Sequence, residues 1–342
     1  MKNKKIYIIS NESIHSETDN FFCDNVDLKS IPEGLNNIFD TIIIARESAM
    51  KRFHSIKNVN VKLAKNIFSF VMMIYKSINK KDQAQYLIIS ITPYTFIACL
   101  VFFLFSVKPL VYLRSDGYKE YKSIIGSLGF VIYHLMFTIT ALFSNLISCR
   151  KHILRGKIGK IVSPSQLTSQ WFINQKEPNL SEAKLLYVGR LRVEKGIFSF
   201  LELFEKSKDL NITIISPIKD HFKIKKKENI LCLDTQPESS LINLYDEHNI
   251  FILPSFTEGH PQVLDESLSR YRPVIVFEDI KHVQRDREGV FVCKREIDDF
   301  NRTIKFILKN YKEIQSKIKK NKLPSKKSFL KELELIINEK NT

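Results

Sequence analysis

Short, nearly continuous apolar runs punctuate the chain, with amphipathic stretches between them. In the first half the runs are KIYIIS (5–10), TIIIAR (41–46), YLIISI (86–91), PLVYLR (109–114) and GKIVSP (159–164). They lack the alternation of a half-exposed strand and read as parallel strands covered on both faces. The second half repeats the rhythm in KLLYVG (184–189), NITIIS (211–216), NILCL (229–233), IFILPS (250–255), PVIVF (273–277) and GVFVCK (289–294), with helices expected around 196–208, 239–248, 261–271 and 296–320. Strands alternating with helices build βαβ units. The pattern predicts an α/β chain of two Rossmann-like domains whose parallel sheets face each other. The expected divisions are 1–165 for the first domain, a polar linker over 166–183, 184–320 for the second domain, and a Lys-rich helix or tail over 321–342.

Two stretches change this picture. Residues 83–107 and 123–149 carry no Asp, Glu, Lys or Arg. Either is long enough to cross a hydrocarbon core of about 30 Å. Pro93 splits the first into strand, turn and helix, and the second holds His134, two glycines and several hydroxyls. The expectation is buried crossover helices whose outer face rests on a membrane. Lys108, Lys119, Lys122, Arg150 and Lys151 flank the two stretches, which suits peripheral contact with anionic lipid.

The chain has 342 residues, the length of two domains, and a net charge of +16 from 53 Lys plus Arg against 37 Asp plus Glu. That excess favours a polyanionic partner: a phosphorylated substrate, an anionic membrane or nucleic acid. A basic nucleic-acid-binding protein is one rival reading, but the lysines are dispersed or lie in the tail, and no recognised binding motif is present. The five cysteines, Cys23, Cys99, Cys149, Cys232 and Cys293, are odd in number and never spaced Cys-x-x-Cys. This argues against a disulfide framework or zinc site and for a reducing compartment. MKNKKIYIIS reads as a first strand rather than a signal peptide.

Two loops carry candidate chemistry. In LLYVGRLRVEKG (185–196) an apolar strand runs into Gly189, Arg190, Arg192, Lys195 and Gly196, and helix-forming sequence follows. Ligands of open α/β sheets bind at the carboxyl ends of strands, and helix N-termini attract anions. Two cations there point to a phosphate. In ILPSFTEGHPQVLDESLSRYRPVIVF (252–277) a strand ends at Pro-Ser, and a loop carries Glu258 and Gly259. A helix expected to start near Pro261, a favoured first helical position, carries Glu266. Carboxylates beside a phosphate site offer acceptors for sugar hydroxyls. In the first half YLRSDGYKEY (112–121) places Asp116 at a strand's carboxyl end.

Together the two loops resemble the retaining GT-B-fold glycosyltransferases of family 4, the glycosyltransferases group 1 family. Gly189, Arg190, Leu191, Lys195 and Gly196 match its Gly-Arg-Leu-x3-Lys-Gly loop, and Glu258 and Glu266 match its Glu-x7-Glu segment. The resemblance covers about 180 to 295. It implies that Arg190 and Lys195 hold the diphosphate of a nucleotide-sugar donor and that Glu266 accepts from the ribose. It implies that Glu258 faces the donor sugar with Gly259 and His260 beside it. It also implies a donor-sugar contact at Asp116. Neither a metal nor a cofactor is expected beyond the donor itself, since no Asp-x-Asp segment is present and the two cations face the leaving group. The acceptor would be a glycan or lipid-linked glycan in polysaccharide or lipopolysaccharide synthesis, at the cytoplasmic face of the inner membrane, with no nucleic-acid partner. A GT-B-fold sugar-nucleotide epimerase or a catalytically silent relative are the other readings. Departures from the pattern are Arg272 before Pro273 where a glycine is usual, His260-Pro261 after Glu-Gly, and no glycine-rich loop after the first strand.

Overall fold

The structure, a computed structural model, describes residues 4–78, 84–207 and 210–339. The chain divides into two compact units, 1–166 with 326–342, and 167–325. The last residue of the helix expected over 196–208 lies outside the described residues, as do residues 1–3, residue 83 and the end of the tail.

Among the described residues the first unit is built on nine strands: β1 (Lys5–Glu17), β2 (Asn20–Cys23), β3 (Asp40–Ser48), β4 (His54–Ile56), β5 (Asn60–Ala64), β6 (Gln85–Ile89), β7 (Leu110–Leu113), β8 (Asn145–Ser148) and β9 (Gly159–Ile161). Seven form a parallel core in the order β5-β3-β1-β6-β7-β8-β9. Where the sequence shows no glycine-rich loop, β1 instead runs on through a register shift between Ile9 and Ser13 and pairs antiparallel with β2, which pairs with β4. Helices α1 (Val26–Leu35), α2 (Ile67–Ser77), α3 (Pro93–Leu104) and α4 (Gly117–Phe143) connect the strands. Pro93 opens α3 as the first helical residue after the Thr92 cap, so the first charge-free stretch does divide into strand and helix.

Helix α4 is long and apolar enough to cross a membrane by length and composition, yet it is broken at Ile125 and Gly126, where φ is +65°. The stretch 127–143 is about 25 Å long at 1.5 Å per residue, short of the ~30 Å core. One of its faces is buried through Tyr133, Met136 and Phe137, while Ile124, Leu128, Val131, Leu135 and Leu142 are exposed.

The second unit holds six parallel strands among the described residues: β10 (Lys184–Val188), β11 (Asn211–Ile215), β12 (Ile230–Leu233), β13 (Ile250–Leu253), β14 (Val274–Phe277) and β15 (Val290–Cys293). Their order is β12-β11-β10-β13-β14-β15, so the strand order reverses between β10 and β13. Helices α5 (Ile197–Phe204), α6 (Glu238–Glu247), α7 (Gln262–Ser269), α8 (Ile297–Lys309) and α9 (Tyr311–Ile318) complete it. The helix expected over 296–320 is thus two, interrupted at Asn310.

One expected division is corrected. Residues 167–183 are not a linker: Leu167 and Trp171 are buried in the second core, and Trp171 stacks edge-on against Tyr245 at 5.5 Å. The buried Arg270 donates to the carbonyls of Trp171, Ile173 and Asn174, and the buried Arg272 to that of Lys176. Within the span expected as a Lys-rich helix or tail, α10 (Lys326–Glu339) packs Phe329, Leu333 and Ile337 into the core of the first unit. Each such side chain contributes roughly 1.5–3 kcal/mol on burial.

Candidate functional site

The crevice beside a reversal of strand order is where ligands of open α/β sheets bind. Both loops singled out in the sequence leave the sheet there, one after β10 and one after β13.

The first loop is pinned at three points. The Gly189 amide donates to Ile215 O at 3.0 Å, and the buried Tyr187 hydroxyl to Arg190 O at 3.0 Å. Leu191 is buried, so its neighbours Arg190 and Arg192 are turned outward and exposed. Arg192 pairs with Glu194 at 3.7 Å. The Arg190 guanidinium makes no hydrogen bond or ion pair among the described residues, which leaves an exposed cation available to a ligand. A short turn over Val193–Lys195 then meets Gly196 at φ +63°, and α5 begins. A Cβ at Gly196 would stand 1.9 Å from the Pro254 carbonyl oxygen at the end of β13. Only glycine permits both this backbone conformation and this approach. The close approach joins the two loops, as does the bond from the Phe256 amide to Glu194 O at 3.0 Å.

Across this junction Lys195 Nζ lies 2.7 Å from Glu258 Oε1, which also accepts from Ser255 Oγ at 2.6 Å. The Glu258 side chain is only 10% exposed. Glu258 and Arg190 both act on the Tyr187 hydroxyl, which burial pushes well up; the carboxylate raises it further and the guanidinium opposes. The loop that begins with Glu258 leads to α7, with Pro261 preceding the helix rather than forming its first residue. Glu266 stands in the second turn, as expected, and accepts from the Tyr245 hydroxyl at 3.0 Å. Burial pushes its carboxyl up to about 7, against the bond from Tyr245; the adjacent Asp265 adds to the rise. Glu266 therefore holds its proton into the neutral range.

The remaining candidates divide. Gly259 faces open space where a side chain would stand. His260, as a loop histidine, would ordinarily be solvated; its side chain is in fact 5% exposed and lies 3.2 Å from Asp265. Asp116 belongs to the other unit. It immediately precedes α4, and its carboxylate engages Arg155 at 2.9 and 3.2 Å while that guanidinium covers the Tyr118 ring at 4.8 Å. Arg272, the departure from the motif, is structural: its guanidinium donates to the carbonyls of Tyr245, Arg270 and Asp246. The residue in the left-handed region is its neighbour Tyr271, at φ +58°.

Several residues at the site escaped sequence reasoning. Arg295 Nη2 donates to Pro254 O at 2.5 Å, Nε pairs with Asp279 at 3.0 Å, and the guanidinium lies between the rings of Phe256 and Phe277 at 4.3 and 4.4 Å. His282 Nε2 lies 2.8 Å from Glu258 O. Arg295 follows β15 at its carboxyl end, and that position was the available signal. His282 carried none.

Residues 169–323, nearly all of the second unit, match the model of the family described as glycosyl transferases group 1. No curated protein matches the chain. Among solved structures it is similar to Anabaena HepE in complex with UDP-glucose (TM-score 0.69, 11% identity, 98% of this chain and 99% of that one). It is similar to WaaG, a glycosyltransferase involved in lipopolysaccharide biosynthesis (TM-score 0.68, 10% identity, 97% and 99%). It is also similar to a putative UDP-N-acetylglucosamine 2-epimerase from Listeria monocytogenes (TM-score 0.58, 12% identity, 100% and 97%). The fold is GT-B, two parallel-sheet α/β units, and the second unit carries the match to the group 1 model.

Proposed function

We propose that the chain is a retaining glycosyltransferase of family 4 that moves a sugar from a nucleotide-diphosphate sugar to a glycan or lipid-linked acceptor. The observation that carries this reading is the joining of the two loops at the strand-order reversal, where Lys195 and Glu258 meet at 2.7 Å beside the exposed Arg190. Arg190 and Lys195 bind the diphosphate, assisted by the first amides of α5. Glu258 and the backbone of Gly259 and His260 take the sugar, and Glu266 takes the ribose. In the reaction the bond from the anomeric carbon to the diphosphate oxygen breaks. A bond to an acceptor hydroxyl oxygen forms on the same face, and the hydroxyl proton leaves with the diphosphate. Charge grows on the departing oxygen, so fixed cations there stabilise the transition state more than the ground state. The same role makes the reaction metal-independent: activity should survive a chelator, and loss restored by magnesium or manganese would contradict this part. The assignment of Asp116 to the donor sugar rests on the resemblance alone, since its carboxylate is engaged by Arg155.

Several features support an acceptor in cell-surface polysaccharide or lipopolysaccharide synthesis and attachment to the cytoplasmic face of the inner membrane. One face of α4 is apolar and exposed, as are Phe68 and Met72 on α2 and Leu104 on α3, with Lys65, Lys76, Lys108, Lys119 and Lys122 nearby in sequence. Flotation with acidic liposomes at low salt tests the attachment, and failure to bind sinks it. Screening nucleotide sugars by thermal shift, followed by NMR of the product's anomeric configuration, tests the chemistry. An inverted product contradicts retention, and an isomerised sugar nucleotide without transfer indicates the epimerase.

A further inference from the structure

Behind the Glu258 loop lies a buried charged group that neither the motif nor the proposed chemistry uses. Asp265, in the first turn of α7 and adjacent to Glu266, has a side chain with no solvent exposure. Its carboxylate faces two partners: Arg287 Nη2 at 2.6 Å and His260 Nε2 at 3.2 Å, with those side chains 8% and 5% exposed. On the other side of the imidazole, Arg285 Nη2 lies 3.1 Å from Nδ1. A guanidinium only donates, so Nδ1 accepts and the proton of the neutral ring sits on Nε2, which stands 3.2 Å from Asp265 without a hydrogen bond to it. A carboxylate removed from water is costly, and here it also stands beside a second acid, Glu266. Core packing alone has no need of it.

We propose that Asp265 is a positioning residue of the donor loop: balanced by Arg287, it fixes the His260 ring and thereby the backbone of Glu258 and Gly259 that meets the donor sugar. This inference rests on the transferase reading for its kinetic consequence only. Three consecutive ties then hold the loop. Ser255 and Lys195 hold the Glu258 carboxylate, His282 holds the Glu258 carbonyl, and the Asp265 carboxylate stands 3.2 Å from the His260 ring. The donors to Glu258 come from β13's end, the β10 loop and the segment after β14, so the loop is fixed from separate elements before any nucleotide sugar arrives. A site needs such support because displacements near 1 Å cost about 100-fold in rate.

Asp265→Asn keeps the shape and removes the charge. Hydrogen exchange of the amides of Glu258, Gly259, His260 and Gln262 should accelerate about tenfold or more relative to those of β10 and β13. With a donor in hand, kcat should fall roughly 10- to 100-fold with acceptor KM unchanged. His260→Gln leaves the Asp265–Arg287 pair in place, so the fold should persist while the same loop loosens. The double variant should be no worse than the more impaired single one, because the two residues act through one another. Unchanged loop exchange in His260→Gln overturns the proposal. So does a lowered Tm in Asp265→Asn with kcat intact, which would mark a purely structural ion pair. If the unaltered protein transfers no sugar from any nucleotide sugar, the transferase reading falls, and the exchange measurement still decides the positioning role.

Discussion

Replacing Gly196 by alanine puts the junction of the two loops under direct strain. The residue sits at φ +63°, where an L-side chain costs roughly 1–2 kcal/mol. The new Cβ would lie 1.9 Å from the Pro254 carbonyl oxygen, which is backbone and already accepts from Arg295. Bringing that contact out to an ordinary separation above about 3 Å requires a relative movement of about 1 Å between the loop of Lys195 and the loop of Glu258. A misplacement of that size costs about 100-fold in a preorganised site. The expectation is therefore a loss of at least about 1–2 kcal/mol in urea unfolding monitored by circular dichroism, with a fall in kcat on the order of 100-fold. Gly259→Ala is the stability control: no atom lies within 4 Å of its Cβ, and it should shift stability by less than about 0.5 kcal/mol. If Gly196→Ala is as stable as the control, the close approach of the loops is not a constraint and the reasoning fails.

Asp246→Ala would strand the buried Arg270 and Arg272 guanidinium groups, which Asp246 meets at 2.6 and 3.6 Å, and should cost about 3–5 kcal/mol in the same unfolding assay; a loss under about 1 kcal/mol contradicts it. Glu266 supplies a pH dependence. Its carboxyl is raised from 4.5 to about 7, so the folded chain keeps a proton that the unfolded chain has released. The stability it contributes is complete below about pH 4.5 and is lost as pH rises through 7, so Glu266→Gln should flatten the stability–pH curve over that window. An unaltered curve would show that Glu266 titrates normally.

The strands of the C-terminal half were legible because each is a short apolar run bounded by glycine, proline or polar residues. The two site loops were legible because they carry unusual residues at strand ends. β8 was not, because its apolar residues follow directly on the apolar α4 with no polar break, and the composition of 123–149 is uniform. The β1–β2 hairpin replaced an expected loop because SNESIHSE carries little apolar alternation and gains its order from β3 and β2 on either side. The docking of α10 and the capture of 167–176 by Arg270 and Arg272 depend on contacts across long sequence separations, for which local pattern holds no signal. For the same reason the motif identified His260 but could not place Asp265 against it with Arg287, a basic residue like many others in this chain.

The central claim is that the loop after β10 holds a diphosphate through Arg190 and Lys195. Steady-state kinetics of Arg190→Ala, Lys195→Ala and Arg192→Ala with a nucleotide-sugar donor test it most directly. The account predicts losses in kcat of roughly 100- to 1000-fold for Arg190→Ala and Lys195→Ala. Arg192→Ala, whose side chain is spent on Glu194 at the surface, should change kcat little. Equal damage from Arg192→Ala and Arg190→Ala, or no damage from any of the three, would contradict it.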